Sequence, residues 1–345
     1  MRVFSYRNKM RLRSLLITLL IVLAVLAVVA IGVFVYLQRY VVYTPQGARL
    51  DFSPRASSAG KTSDASPLNP EFVIESESES QSGETAAASA PLSGWYVTGD
   101  MLADTSAVSD ALAPTGSRIS VLMDVKSGFG NFYYPSAVSG VQTSTAVDTT
   151  AVSSLIAELS GRTDLYRIAR VSAFRDSNFA LANQDCGLPL SSGALWMDSD
   201  GCYWLDPAND KVISYLESIA AELKDLGFDE VVFSDFSFPE GAGIVYSGDK
   251  TAVLAEAARR LSANLKDSGL AVSFSPADAA LAPYAARLYE AAADGSGVQA
   301  LVSGLKSSLT DPASQLVFLT DSRDTRFNSY GVLRPAVTQA AKAAS

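Results

Sequence analysis

The 345-residue sequence contains no histidine. That absence removes Ser-His-Asp and Cys-His nucleophile–base pairs, and the ordinary histidine-bearing zinc sites, in one step. Cysteine is almost absent as well, with only Cys186 and Cys202. Two thiols without an imidazole make a poor metal site, and the sequence implies neither a metal nor a cofactor. Outside a reducing compartment, two neighbouring cysteines are expected to close as a disulfide. Such a loop of about 17 residues would add roughly 3 kcal/mol of stability; two unrelated thiols are the alternative. No glycine fingerprint for a dinucleotide follows the first apolar run, so a nucleotide-binding reading has no support.

Basic charge is scarce beyond residue 40. The first 40 residues hold six Lys and Arg and no acid, which leaves 21 basic against 36 acidic residues in the remainder, a net of −15. A surface of that sign repels phosphate backbones, so nucleic acid is not an expected partner.

The amino terminus is the opposite case. Arg2, Arg7, Lys9, Arg11 and Arg13 precede Ser14 to Leu37, about 24 mostly apolar residues without a charge. That length spans a hydrocarbon core of roughly 30 Å, and it exceeds the apolar core of about 7–15 residues in a cleaved signal peptide. The basic flank orients the terminus toward the cytoplasm. The sequence therefore predicts a cytoplasmic tail over 1–13 and a transmembrane signal-anchor over 14–37. A Ser-, Glu- and Pro-rich disordered linker follows over 38–92, with its run ESESESQSGET. The last part, 93–345, is a folded domain outside the cell, on a single-pass membrane protein.

Within 93–345, short apolar runs alternate with helical periodicity. Strands are expected at Trp95–Thr98, Ile119–Val125, Arg167–Phe174, Val231–Phe233, Leu270–Ser275, Val298–Val302 and Gln315–Thr320. Helices are expected at Met101–Leu112, Ala151–Leu159, Pro207–Leu226, Thr251–Leu265, Ala277–Ala293 and Pro335–Ala344. About seven strands, most followed by a helix, predict a (β/α)8 TIM-like barrel with one strand not visible in the pattern. A doubly wound open sheet is the runner-up.

Four ordered motifs carry a resemblance: MDVKSGFGNFYYPS (Met123–Ser136), RIARVSAFRD (Arg167–Asp176), WLDPAND (Trp204–Asp210) and GFDEVVFSDFSFP (Gly227–Pro239). Over Gly94 to Pro239 the chain resembles the bacterial putative glycoside hydrolase domain family, barrels distantly related to α-amylases. The resemblance implies a glycan partner, a cell-wall glycan or other polysaccharide. It also implies a pocket aspartate at Ser234 and an arginine at Ser237, so the chain departs from the pattern where catalysis is expected. Asp235 stands one step beyond. Strand side chains alternate faces, so a regular strand would aim Ser234 into the pocket and Asp235 away from it, unless a bulge re-aims the acid.

The carboxylates at strand ends, Asp124, Asp176, Asp235 and Asp321, are the catalytic candidates, because glycoside hydrolysis needs two carboxyl groups. Lys126 shares a strand face with Asp124 in a regular strand, and both could meet sugar hydroxyls or pair with each other. Arg170, Arg175 and Ser234 are further binding candidates, together with Trp196 and Trp204, whose aromatic faces suit sugar rings. Asp206, just before Pro207, reads as a helix cap. Two functions stay open: hydrolysis of a glycan, and a non-catalytic barrel serving as a binding or scaffolding module of the envelope.

Overall fold

The structure, a computed structural model, describes residues 41–44, 47–50, 91–114 and 116–337. The chain divides into two units, Met1–Gln81 and Ser82–Ser345. In the first, Val41–Thr44 (β1) pairs antiparallel with Gly47–Leu50 (β2), Val41 opposite Leu50 and Thr44 opposite Gly47. The pair falls inside the stretch expected to be disordered. Val41, Val42, Tyr43 and Thr44 are β-branched or aromatic and favour an extended ladder, unlike the Ser/Glu-rich sequence that follows. The expected tail and membrane anchor lie outside the described residues. Among the described residues no helix is long and apolar enough to cross a membrane.

The second unit is built on eight parallel strands. In chain order they are Ser93–Val97 (β3), Ile119–Lys126 (β4), Leu165–Ser172 (β7), Glu230–Ser234 (β8), Ala271–Phe274 (β9), Leu288–Ala291 (β10), Leu316–Leu319 (β11) and Gly331–Pro335 (β12). Two short strands, Asn131–Phe132 (β5) and Gln142–Thr143 (β6), extend β4 at its edge. Because β3 pairs with both β4 and β12, the sheet closes on itself, and the open doubly wound alternative is excluded. The result is a closed eight-stranded parallel barrel with flanking helices, the TIM-like architecture.

Alternation along each strand divides the apolar side chains into two cores. Leu122, Ile168, Val232, Tyr289, Val317, Leu319 and Leu333 fill the barrel. Their strand neighbours Val121, Met123, Val171, Val231 and Phe233 face outward into the larger core beneath the helices. Helix Asp210–Asp225 supplies that outer layer with Val212, Ile213, Leu216, Ile219, Ala220 and Leu223. Helix entries repeat one device. Asp104, Asp148, Asp176, Asp249 and Asp311 each accept a backbone N–H at the start of the following helix, each cap contributing about 1 kcal/mol. The cap of helix Asp210–Asp225 is Asn209, not Asp206, because the chain needs three more residues to turn into the helix. The Asp206 carboxylate instead accepts the N–H of Ala208 at 2.9 Å.

Three expected elements change type. The run Ala277–Ala293 is Ala-rich and reads as helix, yet it holds only a 3-10 turn at Ala282–Tyr284 and then β10. Ladders to β9 and β11 on both sides override helix propensity there. Val298–Leu305 is a helix, not a strand, with Val298, Leu301, Val302 and Leu305 at helical spacing. Pro335 closes β12 instead of opening a helix; the rest of that expected helix lies outside the described residues. The excursion after β7 carries the two cysteines as separate buried thiols. Asp206 donates its N–H to the Cys186 carbonyl, which sets Cys186 opposite Asp206 on the ladder. Cys202 lies four residues earlier on that segment and its carbonyl accepts the Asp198 N–H, so each cysteine faces a different partner and the expected bridge does not form.

Candidate functional site

The carboxyl ends of the barrel strands enclose a cavity of about 540 Å³. Asp124 and Lys126 of β4, Arg170 and Ser172 of β7, Ser234 of β8 with Asp235 beyond it, and Glu290 of β10 all line it, beside Tyr133, Ser237 and Ser275.

Asp235 is where the sequence reading and the structure part. It takes a left-handed backbone, φ 50°, as the only non-glycine residue with positive φ among the described residues. The cause lies in its neighbours. Phe233 and Phe236 both belong to the outer core, and Phe236 packs between Phe174 and Phe274 with ring centroids 4.6 and 4.5 Å away. Residues three apart face opposite sides of a regular strand, so burying both rings demands a slip of one residue. Asp235 supplies that slip, and its carboxylate joins Ser234 in the cavity instead of packing outward. The peptides on either side are held, Ser234 accepting from Ala173 N at 2.8 Å and Phe236 donating to Ser275 O at 3.0 Å. Ser172 Oγ lies 2.6 Å from Asp235 Oδ2.

Asp124 is clamped by Arg170, whose Nε and terminal nitrogen reach its two oxygens at 2.5 and 2.8 Å. Gly99 N adds a third donor at 3.1 Å. Only glycine fits there, because a Cβ would stand 2.2 Å from the Tyr133 hydroxyl oxygen. Burial raises the Tyr133 phenol above its ordinary pKa, and the charges of Asp124 and Asp100 raise it further, so it stays a hydroxyl. Glu290 accepts the N–H of Ala277 at 2.9 Å.

Lys126 does not share a face with Asp124. The β4–β7 register slips between them, Asp124 opposite Arg170 and Lys126 opposite Val171. The slip turns the Lys126 ammonium into the cavity wall, where it pairs with Asp176 at 2.9 Å with both side chains 0% exposed. Ser172 O accepts a second Lys126 bond at 2.6 Å. Asp176 also caps the helix Ser177–Ala182 and accepts the Tyr215 hydroxyl at 2.9 Å. It is a framework acid, closed off from the cavity.

Arg175 leaves the cavity for Asp198 and Asp200, both at 2.7 Å. Trp196 and Trp204 are 9% and 8% exposed and pack in the outer core under the excursion, with the Trp204 indole N–H donating to Asp198 at 2.9 Å. Their faces are covered by protein, so they offer no platform for a sugar. Asp321 is exposed just past β11 and acts on Tyr96. The Tyr96 phenol is raised first by burial and then by Asp321, with Arg170 opposing. Among the described residues no three His, Cys, Asp or Glu side chains gather to hold a metal ion.

Glu290 and Ser172 were not singled out from sequence. Glu290 was concealed by the helix-like alanine run, and Ser172 by its ordinary place in an apolar strand.

The barrel recurs in solved structures. An α-galactosidase from Lactobacillus brevis superposes with a TM-score of 0.51 at 10% identity, covering 73% of this chain and 38% of that one. An α-L-fucosidase isoenzyme 2 from Paenibacillus thiaminolyticus gives 0.48 at 12% identity, over 67% and 40% of the two chains. A hypothetical protein from Ruminiclostridium thermocellum gives 0.45 at 21% identity, over 52% of this chain and 96% of that one. At these identities the likeness concerns the fold, and the chain spans well under half the length of the two enzymes. No curated protein matches the sequence. Residues 94–274, more than half of the chain and running past Pro239 to the end of β9, match one family throughout, and the chain belongs to that family, described as "Putative glycosyl hydrolase domain".

Proposed function

We propose that the chain hydrolyses a glycan held in the barrel mouth, with Asp235 and Glu290 as its two carboxyl groups. Glycoside hydrolysis uses one carboxylic acid to protonate the leaving oxygen as the glycosidic C–O bond breaks and its electron pair passes to that oxygen. The second, as a carboxylate, bonds to the anomeric carbon or takes a proton from the water that does. Asp124 suits neither role, since Arg170 and Gly99 already occupy its oxygens. The observation that carries the reading is the left-handed turn at Asp235, which brings its carboxyl into the cavity that Glu290 also lines. Tyr133, Ser237 and Ser275 supply hydroxyls suited to a sugar. The test uses the full chain in detergent on a panel of 4-nitrophenyl glycosides and cell-wall polysaccharides. Turnover of at least one is expected, with loss in Asp235→Asn and in Glu290→Gln; turnover that survives both substitutions would exclude this pair.

A second reading, a non-catalytic carbohydrate receptor, rests on Ser234 and Ser237 standing where the family pattern has Asp and Arg. It expects binding without turnover, and turnover gained in Ser234→Asp.

The proposal extends to location. The tail 1–13 is cytoplasmic, 14–37 is the anchor, 38–92 the spacer, and 93–345 faces envelope or environmental polysaccharide outside the cell. The apolar run, its basic flank and the acidic remainder support this. Protease added to intact cells should remove the barrel unit, and full protection would contradict the placement.

A further inference from the structure

The three cavity carboxyls differ in what holds them. Asp124 is met by Arg170 and by a backbone N–H, both of which only donate. Glu290 is met by the N–H of Ala277, again a donor only. An oxygen met by a donor presents a lone pair at that contact, not a proton. Asp235 Oδ2 instead meets a hydroxyl, Ser172 Oγ, at 2.6 Å, and a hydroxyl both donates and accepts.

Ser172 has a second contact. Its Oγ is 2.8 Å from the carbonyl of Arg175, which can only accept. One hydroxyl proton cannot serve both neighbours when Asp235 is ionised. When Asp235 carries a proton, the carboxyl donates to Ser172 and Ser172 donates to Arg175 O, so every oxygen in the row is matched. When Asp235 is ionised, the Ser172 proton turns to the carboxylate. The same heavy-atom positions thus accommodate both proton states with only a hydroxyl rotation. Ser172 itself is fixed, being 3% exposed and held through its carbonyl by Lys126. The charged groups acting on Asp235 are Arg170 and Arg175, and Asp124, Lys126 and Glu290 line the same cavity.

We propose that Asp235 is the group that gives up and regains the proton during hydrolysis, that Ser172 is its positioning residue, and that Glu290 is the carboxylate that starts the step as nucleophile or base. This rests on the hydrolase reading above and divides the roles within it. In the step concerned, the Asp235 proton passes to the glycosidic oxygen, which keeps the electron pair of the broken C–O bond. The anomeric carbon takes an oxygen either from Glu290 or from a water whose proton goes to Glu290.

The leaving group separates the roles. A 2,4-dinitrophenolate departs without a proton, whereas a methyl glycoside needs one. With the full chain and both glycosides of whichever sugar the wild type hydrolyses, Asp235→Asn should lose about 10²–10⁴-fold on the methyl glycoside and less than about 10-fold on the dinitrophenyl one. Glu290→Gln should lose heavily on both. Ser172→Ala should show a weaker form of the Asp235→Asn pattern and a displaced basic limb of the pH profile, and Ser172→Thr, which keeps the hydroxyl, should restore both. Equal losses on the two leaving groups in Asp235→Asn, or a Ser172→Ala profile superimposable on the wild type, would overturn the assignment while leaving the hydrolase reading standing. No turnover of any glycoside by the wild-type chain would remove the hydrolase reading, and this assignment with it.

Discussion

Two aspartates just past neighbouring strands, Asp176 after β7 and Asp235 after β8, have opposite fates. Asp176 is fully buried and saturated, with Lys126, Tyr215 and the N–H of Phe179 all on its oxygens. Asp235 is half-buried, has Ser172 on one oxygen, and faces a cavity. A carboxylate whose lone pairs are all spoken for stabilises the fold, while one that is under-satisfied in an open cavity is available to a ligand. Residue type alone does not separate them, since both are Asp at a strand end.

Substitution should separate the two kinds of acid. The largest effect is expected on turnover: Asp235→Asn should lose about 10²–10⁴-fold on a glycoside whose leaving group needs a proton, yet keep thermal stability near the wild-type value. Asparagine tolerates the left-handed backbone, so the fold is not strained by the change. Lys126→Met should do the reverse. It leaves Asp176 charged and unpaired in the core, a loss of about 3–5 kcal/mol in chemical denaturation. Equal behaviour of the two variants in both measurements would break the distinction.

A smaller effect concerns a third aspartate. Burial alone would raise the Asp198 carboxyl, but the Arg175 ion pair and the N–H groups of Trp204 and Cys202 hold it down at about 2. Its folded value lies below its unfolded one, so the stability it contributes is present above about pH 4 and is lost as pH falls toward 2. Asp198→Asn should therefore make the acid limb of the stability profile shallower between roughly pH 4 and 2, and an unchanged limb would contradict this. The smallest effect is at a cap. Asp148→Ala removes the acceptor for Thr150 N and Ala151 N and should cost about 1 kcal/mol without touching turnover.

Most of the barrel could be read from alternation. Strands such as Ile119–Lys126 and Leu165–Ser172 are apolar, bounded by turns and β-branched, and six of the expected strands recur in the structure. The failures are physical. β10 is four residues of LYEA inside an alanine-rich run whose local preference is helical, and only its neighbours make it a strand. The cysteines looked like a pair because they are close in sequence, while the ladder that separates them depends on long-range pairing. At the site, the family pattern located the correct strand end but gave the wrong face for Asp235. The signal was present nonetheless: Phe233 and Phe236, both core-type rings at odd spacing, cannot be buried together unless the strand slips between them. The Lys126 slip left no such mark, because nothing in MDVKSG distinguishes a bulged strand from a regular one.

The most direct measurement is the separation of the Asp235 and Glu290 carboxyl groups in an experimental structure with an oligosaccharide bound in the mouth. The account predicts both groups facing the glycosidic bond, about 5–5.5 Å apart for a retaining reaction or about 6.5–9.5 Å apart for an inverting one. A separation well beyond about 10 Å, or an Asp235 carboxyl directed into the helix layer, would contradict it.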